Sequence, residues 1–314
     1  MGPSDLRFRH EALLYEDADE FVADTSRFVR EGLDAGEAVL VAVIEERARP
    51  LREELGADAS RVEFLAMAEV GRNPARIIPA WQDWVARNTG RGTGLRGIGE
   101  PIWAGRTDLE IRECRMHEHL LNTAFDDGPA WTLLCPYDAA RLPQPVLEGV
   151  THSHPAVLGA AAPARSAPFD GNAGLAAFAA PPPELGPPLF ETPFGLADLP
   201  MLRTAVRERA DLLSLRGRRQ VEDFVLVADE LACNSVRHGG GRGRLALWAS
   251  DGHAVCEVRD RGLINDPLAG RRRPDLQTKG GGAGLWTANQ LCDLLLIYST
   301  PAAGTAVRAH FPVC

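Results

Sequence analysis

Residues 229–241 read DELACNSVRHGGG. Glu230, Asn234 and His238 recur every fourth position, so on a helix they share one face. Val225, Leu226, Ala228, Leu231 and Ala232 supply the apolar body, and the glycines from Gly239 onward stop the helix. Alone, such a stripe simply faces water. The downstream sequence changes that reading. Asp260-Arg261-Gly262 ends an apolar strand pattern, where a carboxylate emerges beside a glycine that lets a planar ring approach the backbone. Lys279-Gly280-Gly281-Gly282-Ala283-Gly284 precedes a helical pattern. Clustered glycines before a helix N-terminus offer bare N–H groups and the positive dipole end to an anion such as phosphate. Gly304-Thr305 opens the last strand.

Around these motifs the periodicity predicts helices over 198–215 and 219–239, then a hairpin. RLALWAS (244–250) and AVCEVRD (254–260) are its strands, with DGH as the turn. An irregular basic, Gly-rich segment over 262–282 leads into a helix read over 284–296, and the strands LLIYST (295–300) and GTAVRAHF (304–311) close the chain, so that helix and strand readings overlap at Leu295 and Leu296. Helices first and antiparallel strands later describe an α+β sandwich with helices on one face. Before residue 155 the order differs. AVLVAV (38–43), VEFLAM (62–67), GLRGIGEPIW (94–103) and WTLLCPYD (131–138) alternate with helical patterns over 44–56, 74–89 and 108–126. That alternation implies an α/β domain with a mainly parallel sheet. Between the halves, residues 155–188 hold 8 Pro, 11 Ala and three charged residues, a composition expected to form a semi-rigid extended linker. The expected domains are therefore 1–154, a linker 155–188, and 189–314.

The four C-terminal motifs, in this order and spacing, resemble the GHKL ATPase superfamily with its Bergerat fold. Within it the likeness is to the anti-sigma-factor serine kinases (RsbW-like) of actinobacterial type, and it spans roughly 190–314. The resemblance implies ATP and Mg²⁺ as cofactors. It implies Glu230 as the general base for the attacking hydroxyl and Asn234 as the Mg²⁺ ligand. Asp260 would take the adenine amino group with Gly262 beside it. Gly280, Gly281, Gly282 and Gly284 would cup the phosphates, with Lys279 in the lid and Thr305 positioning the base. Arg271, Arg272 and Arg273 also fall in the expected lid, within reach of a γ-phosphate or an acidic partner. His238 is read as structural. Two departures stand out: Leu263 and Ile264 occupy the place of a second glycine after Asp260-x-Gly262, and Ala283 stands where the resemblance implies Arg.

FRHEALLYEDADEFVADTSRFVREGLDAGEAVLVAV, with GEPIW (99–103), EHLLNTAF (118–125) and LLCPYD (133–138), resembles the MEDS-type sensory domain over about residues 8–155. That likeness implies a RecA-like α/β core. No GxxxxGK[ST] occurs, so ATP is not expected in this half. His10, Tyr15, Glu100 and Trp103 are the candidate contacts for a small-molecule ligand, expected at strand ends where α/β sheets place their sites. Glu100, after an apolar strand, is expected to pair with His10 or an Arg, either in a ligand site or as a buried structural hydrogen bond. Cys114, His117 and His119 invite a metal, but on a helix 119 points away from the other two and no fourth ligand is evident.

Composition narrows the classes further. Of 34 basic residues all but Lys279 are Arg, an indication of GC-rich coding. Residues 1–190 hold 29 acidic and 18 basic side chains, and 191–314 hold 14 and 16, so nucleic acid is not an expected partner. Six scattered cysteines form no CxxC pair, which argues against a disulfide framework or zinc ribbon. The sequence shows neither a signal-peptide layout nor a membrane-length apolar run, and a cytoplasmic location is expected.

The resulting expectation is an anti-sigma regulatory factor with a serine/threonine kinase domain controlled by a sensory domain. Its partners would be an anti-anti-sigma (STAS) protein and a sigma factor, with a homodimer through the ATPase half, as the resemblance implies. The alternatives are a non-catalytic partner-switching module and a histidine kinase. The latter needs a phospho-accepting His on a helical hairpin upstream. His152 and His154 precede Pro155, which ends any helix, and fill that role poorly.

Overall fold

The computed structural model describes residues 8–90, 94–158, 164–181, 183–274 and 283–313. Of the glycine run, Lys279, Gly280, Gly281 and Gly282 lie outside the described residues. The chain forms two compact units, Met1–Phe178 and Ala179–Cys314.

The first unit is built on a seven-stranded sheet in the order β3-β2-β4-β5-β1-β6-β7. Its strands are β1 (Phe8–Tyr15), β2 (Ala38–Val43), β3 (Glu63–Ala66), β4 (Leu95–Gly99), β5 (Trp131–Asp138), β6 (Ala156–Leu158) and β7 (Ala164–Arg165). All neighbours are parallel except β6 and β7. The apolar run AVLVAV is β2, buried from Val39 onward, as a strand covered on both faces requires. The helices are α1 (Ala18–Asp34), α2 (Glu45–Leu55), the single turn α3 (Met67–Val70), α4 (Ile77–Asn88), α5 (Asp108–Ala124) and α6 (Gln144–Ser153). Asp17 caps α1 by accepting the Glu20 N–H at 2.9 Å, and Thr107 with Glu110 forms a capping box on α5.

Strand alternation divides this sheet into two interiors. Leu13 and Tyr15 of β1 and Leu134 of β5 pack with Phe21, Phe28 and Val29 of α1 and Leu51 of α2. The opposite parity brings Phe8 and His10 of β1 into ring contact with each other, and Phe8 against Trp131 and Phe125. Trp81 of α4 joins the same aromatic group through Trp131, with ring centroids 5.4 Å apart.

The second unit carries a fully antiparallel five-stranded sheet in the order β11-β12-β10-β9-β8. These are β8 (Phe190–Gly195), β9 (Arg242–Ser250), β10 (His253–Asp260), β11 (Leu294–Thr300) and β12 (Gly304–Pro312). Helices α7 (Leu199–Glu208), α8 (Gly217–His238) and α9 (Ala283–Leu291) contribute to one core against it. Phe224 of α8 is the centre of that core, fully buried with its ring 5.1 Å from Phe311.

Three expectations are corrected. The helix read over 284–296 ends at Leu291, because Leu294, Leu295 and Leu296 pair with β12 as strand; a short apolar run carries no periodicity to separate the two states. The helix read over 198–215 stops at Glu208, with Ser214 at φ 58 in the following turn. The segment 155–188 is not an extended linker throughout. β6 and β7 extend the first sheet, and Phe178 O accepts from Arg112 at 2.6 Å. Pro183 O accepts from Arg308 at 2.8 Å and Gly186 O from Trp248 at 3.0 Å, inside the second unit. Extended Pro/Ala backbone keeps its carbonyls available, and sheet edges and buried donors take them up.

Removing the Phe224 ring leaves a void in the second core. Phe224→Ala should lower the second unit's stability by about 3–5 kcal/mol, read as a downward shift of its calorimetric transition while that of the first unit stays in place.

Candidate functional site

α8 ends against the exit of β10, and glycines on both sides allow the close approach. A Cβ on Gly239 would lie 2.3 Å from Asp260 Cγ, one on Gly262 2.7 Å from the His238 carbonyl oxygen, and one on Gly304 2.2 Å from the Asp260 carbonyl oxygen. Gly304 sits at φ 77, which opens β12 directly beside Asp260. The Asp260 carboxylate is oriented from two sides. Ser235 Oγ donates to Oδ2, and the Gly262 N–H donates to Oδ1 at 2.7 Å. Thr305 Oγ1 donates to Gly262 O at 2.9 Å and lies 2.7 Å from Ser299 Oγ, which accepts the Ile264 N–H at 2.8 Å. The loop after β10 is thereby fastened to β11 and β12.

Above this floor opens a cleft of about 270 Å³ lined by Asn234, Asp260, Gly262, Leu263, Ile264 and Thr305, with Leu231, Leu285 and Val307 among the apolar walls. An apolar slot with one oriented carboxylate at its base suits a planar heterocycle bearing an amino donor. At its other end the Glu230 and Asn234 heads converge on the first turn of α9. A Cβ on Gly284 would lie 2.8 Å from Glu230 Oε2 and 2.9 Å from Asn234 Nδ2. A carboxylate and an amide oxygen side by side at a helix N-terminus offer a hard-cation ligand and a proton acceptor next to an anion-binding end.

The structure therefore brings together Glu230, Asn234 and Gly284, and, along the same cleft, Asp260, Gly262 and Thr305. His238 also lines it. Arg271, read as a lid residue, is buried, and burial pushes its guanidinium down to about 10; Arg272 pairs with Asp266 at 3.9 Å. Ser235 and Ser299 escape the sequence reading. Ser235 follows Asn234 directly, but nothing in one sequence says that its hydroxyl meets a strand 25 residues on.

Two family models match the chain. One, described as MEDS: MEthanogen/methylotroph, DcmR Sensory domain, covers residues 9–155, and the other, described as histidine kinase-like ATPase domain, covers residues 195–311. The chain is a MEDS domain joined to a histidine kinase-like ATPase domain. No curated protein matches it. The antiparallel sheet, the helices on it and the cleft at the end of α8 accord with a GHKL-type ATPase fold. Among the described residues no helix is long and apolar enough to cross a membrane.

In the MEDS domain the four sensory candidates separate. Tyr15 ends β1, and its hydroxyl donates to Glu100 Oε1 at 3.3 Å. Glu100 Oε2 accepts the Ile44 N–H at 3.4 Å, and Arg47 Nε lies 3.9 Å from Oε1. Arg47 also donates to Asp138 Oδ2 at 2.6 Å. This network sits at the C-terminal ends of β1, β4 and β5, the edge where parallel sheets place their sites. Trp103 instead stacks under the Arg106 guanidinium, 3.6 Å from its ring centroid. Of the two partners expected for Glu100, an Arg is there, Arg47, and His10 is not. Five positions apart on one strand, His10 and Tyr15 point to opposite faces of the sheet. His10 lies in the other interior, 3.0 Å from Glu118 Oε2, where burial and the neighbouring His154 push it down to about 4. Nor do Cys114, His117 and His119 converge: Cys114 Sγ donates to Pro101 O, and His119 Nδ1 lies 2.8 Å from Gly171 O.

Burial raises the Glu100 carboxyl from 4.5 to about 8, against the opposing pull of Arg47. Its native form therefore holds a proton more tightly than the unfolded chain does. The stability it contributes is complete below about pH 4.5 and is lost as pH rises through about 8. Melting of the MEDS domain should accordingly weaken across that window. Glu100→Gln should flatten the slope relative to wild type in calorimetric scans at stepped pH.

Proposed function

We propose that the chain is an ATP-dependent regulatory protein kinase of the anti-sigma-factor type, with the MEDS domain as its sensor. The convergence of Glu230 and Asn234 on Gly284, at one end of a cleft whose floor is the oriented Asp260, carries this reading. The residues fit a magnesium nucleotide. The Asp260 carboxylate and the glycine-lined floor match an adenine amino group and ring, and the Asn234 amide oxygen is a hard ligand for Mg²⁺. Bound Mg-ATP would supply the transferable phosphoryl group with part of its charge neutralised. Glu230 would accept the proton of the attacking Ser or Thr hydroxyl as its oxygen forms the bond to the γ-phosphorus and the bond from that phosphorus to the bridging oxygen breaks, with ADP leaving. Asn234 would hold the metal, and the start of α9 would offer backbone donors to the phosphates.

The acceptor is placed on another protein. His154 is buried, and among the described residues the segment 155–198 holds short strands and 3₁₀ turns rather than a helical hairpin. The acceptor is a STAS-type anti-anti-sigma protein, and its phosphorylation state decides whether the ATPase domain holds it or a sigma factor. A ligand of the MEDS domain would bias that choice by binding its two states unequally.

Calorimetric titration with ATP, in Mg²⁺ and in EDTA, tests the site. Mg²⁺-dependent binding is expected, weakened at least about tenfold by loss of a cation ligand in Asn234→Ala. Glu230→Ala should still bind ATP but lose roughly 10²–10⁴-fold in labelled-phosphate transfer to a STAS partner. Partner capture with no phosphotransfer by the wild type would instead establish a non-catalytic holding module.

A further inference from the structure

Four side chains from four separate elements meet inside the MEDS domain, on the sheet face away from Tyr15. His10 comes from β1, Cys135 from β5, Glu118 from α5 and His154 from the end of α6. In the β1–β5 register His10 is opposite Leu133 and Ala12 opposite Cys135, so Cys135 is the diagonal neighbour of His10 on one face. All four are at most 1% exposed, and one ligand-type atom from each lies within 4.8 Å of all the others. His10 Nε2 and His154 Nε2 lie 3.0 and 3.3 Å from the same oxygen, Glu118 Oε2, and Cys135 Sγ lies 3.4 Å from His10 Nε2.

The hydrogen bonds around the cluster hold both imidazole rings by Nδ1. The Asn122 amide nitrogen donates to Ser153 O at 2.9 Å and approaches the Glu118 and His119 carbonyls, so its oxygen must face His10 Nδ1, 3.2 Å away. His154 Nδ1 faces the Val150 carbonyl at 2.9 Å and the Ser153 hydroxyl at 3.0 Å. Both rings thus turn Nε2 toward one carboxylate oxygen, Glu118 Oε2. His154 Nε2 and Glu118 Oε1 make no hydrogen bond despite full burial. A cation among the four ligand atoms would meet both of these groups together with the Cys135 sulfur.

We propose that His10, Glu118, Cys135 and His154 form a binding site for a divalent transition metal ion with the chemistry of Zn²⁺. Two imidazoles, a carboxylate and a thiolate are a borderline-soft donor set, unlike the all-oxygen shells of Mg²⁺ and Ca²⁺. Tetrahedral bonds to zinc place ligand atoms about 3.3–3.6 Å apart, and three of the spacings here are 3.0, 3.3 and 3.4 Å, with all of them within 4.8 Å. The Nδ1 contacts to Asn122 and Val150 are the outer shell that orients ligating histidines. Cys135 binds as the thiolate, its S–H proton leaving to solvent as the metal–sulfur bond forms. With all four positions filled by protein, the site is of the closed, structural class. It ties α5 and the end of α6 to β1 and β5.

The test uses the purified full-length chain, stripped with a chelator and titrated with Co²⁺ and then Zn²⁺. One equivalent of Co²⁺ should give tetrahedral d–d bands with a sulfur-to-metal charge-transfer band. Cys135→Ser should lose that charge-transfer band, and His154→Ala should weaken Co²⁺ binding at least about tenfold. X-ray absorption on the zinc-loaded wild type needs no variant. It should show one sulfur at about 2.3 Å and three nitrogen or oxygen atoms at about 2.0 Å. No binding by the wild type, a shell without sulfur, or cobalt spectra unchanged in both folded variants would overturn the site. The first result would leave the four side chains as a metal-free buried polar cluster.

Discussion

The ATPase domain depends on one steric condition: the end of α8, the exit of β10 and the start of β12 must approach one another more closely than any Cβ at the three contact positions allows. Gly239, Gly262 and Gly304 each stand where a Cβ would lie under 3 Å from Asp260 or from a carbonyl beside it. Because these positions carry no side chain, α8 closes onto the sheet with Ser235 facing Asp260, and the carboxylate is held between a hydroxyl and an N–H. The apolar slot above Asp260 follows from that closure. So does the position of Asn234 one helical turn back from the contact, with Glu230 a further turn along at Gly284. A larger residue at any of the three would separate helix from strand before it altered any chemistry.

The MEDS domain rests on a different condition, the two-residue period of its strands. One sheet separates two interiors, and each interior holds a buried polar cluster. Tyr15, Glu100, Arg47 and Asp138 answer one another at the C-terminal strand ends beside α2, in a network where each carboxylate meets a donor or a cation. On the opposite face His10, Glu118, Cys135 and His154 gather two imidazoles, a carboxylate and a thiol. Each cluster keeps a buried polar atom without a hydrogen-bond partner, Arg47 Nε in the first and His154 Nε2 and Glu118 Oε1 in the second. What distinguishes them chemically is the donor set, oxygen and guanidinium groups on one face and metal-ligating nitrogen, oxygen and sulfur on the other.

Much of the fold was legible because local period and glycine placement survive into the tertiary structure. Apolar runs such as AVLVAV and the alternation of strand and helix gave the parallel sheet. The four-residue spacing of Glu230 and Asn234, with Asp260-x-Gly262, named residues that the structure gathers around one cleft at the end of α8, while Lys279–Gly282 of the glycine run lie outside the described residues. Where several states share one local pattern, the reading failed. Leu294–Leu296 became strand through pairing with β12, and the Pro/Ala segment was taken up by both units because its free carbonyls met buried donors.

The sequence by itself determined the secondary-structure periods, the two-part organisation and the stripe that carries Glu230 and Asn234, since those depend on neighbours within a few residues. It also contained, unread, the parity that keeps His10 from Tyr15 on β1. Only the tertiary structure decided which distant groups meet: Ser235 with Asp260, Arg47 with Glu100, and four ligand-type side chains spread from residue 10 to residue 154. These contacts are set by strand register and helix packing across the whole sheet. No local spacing encodes them, because the chain between the partners is free to take many paths before the core closes.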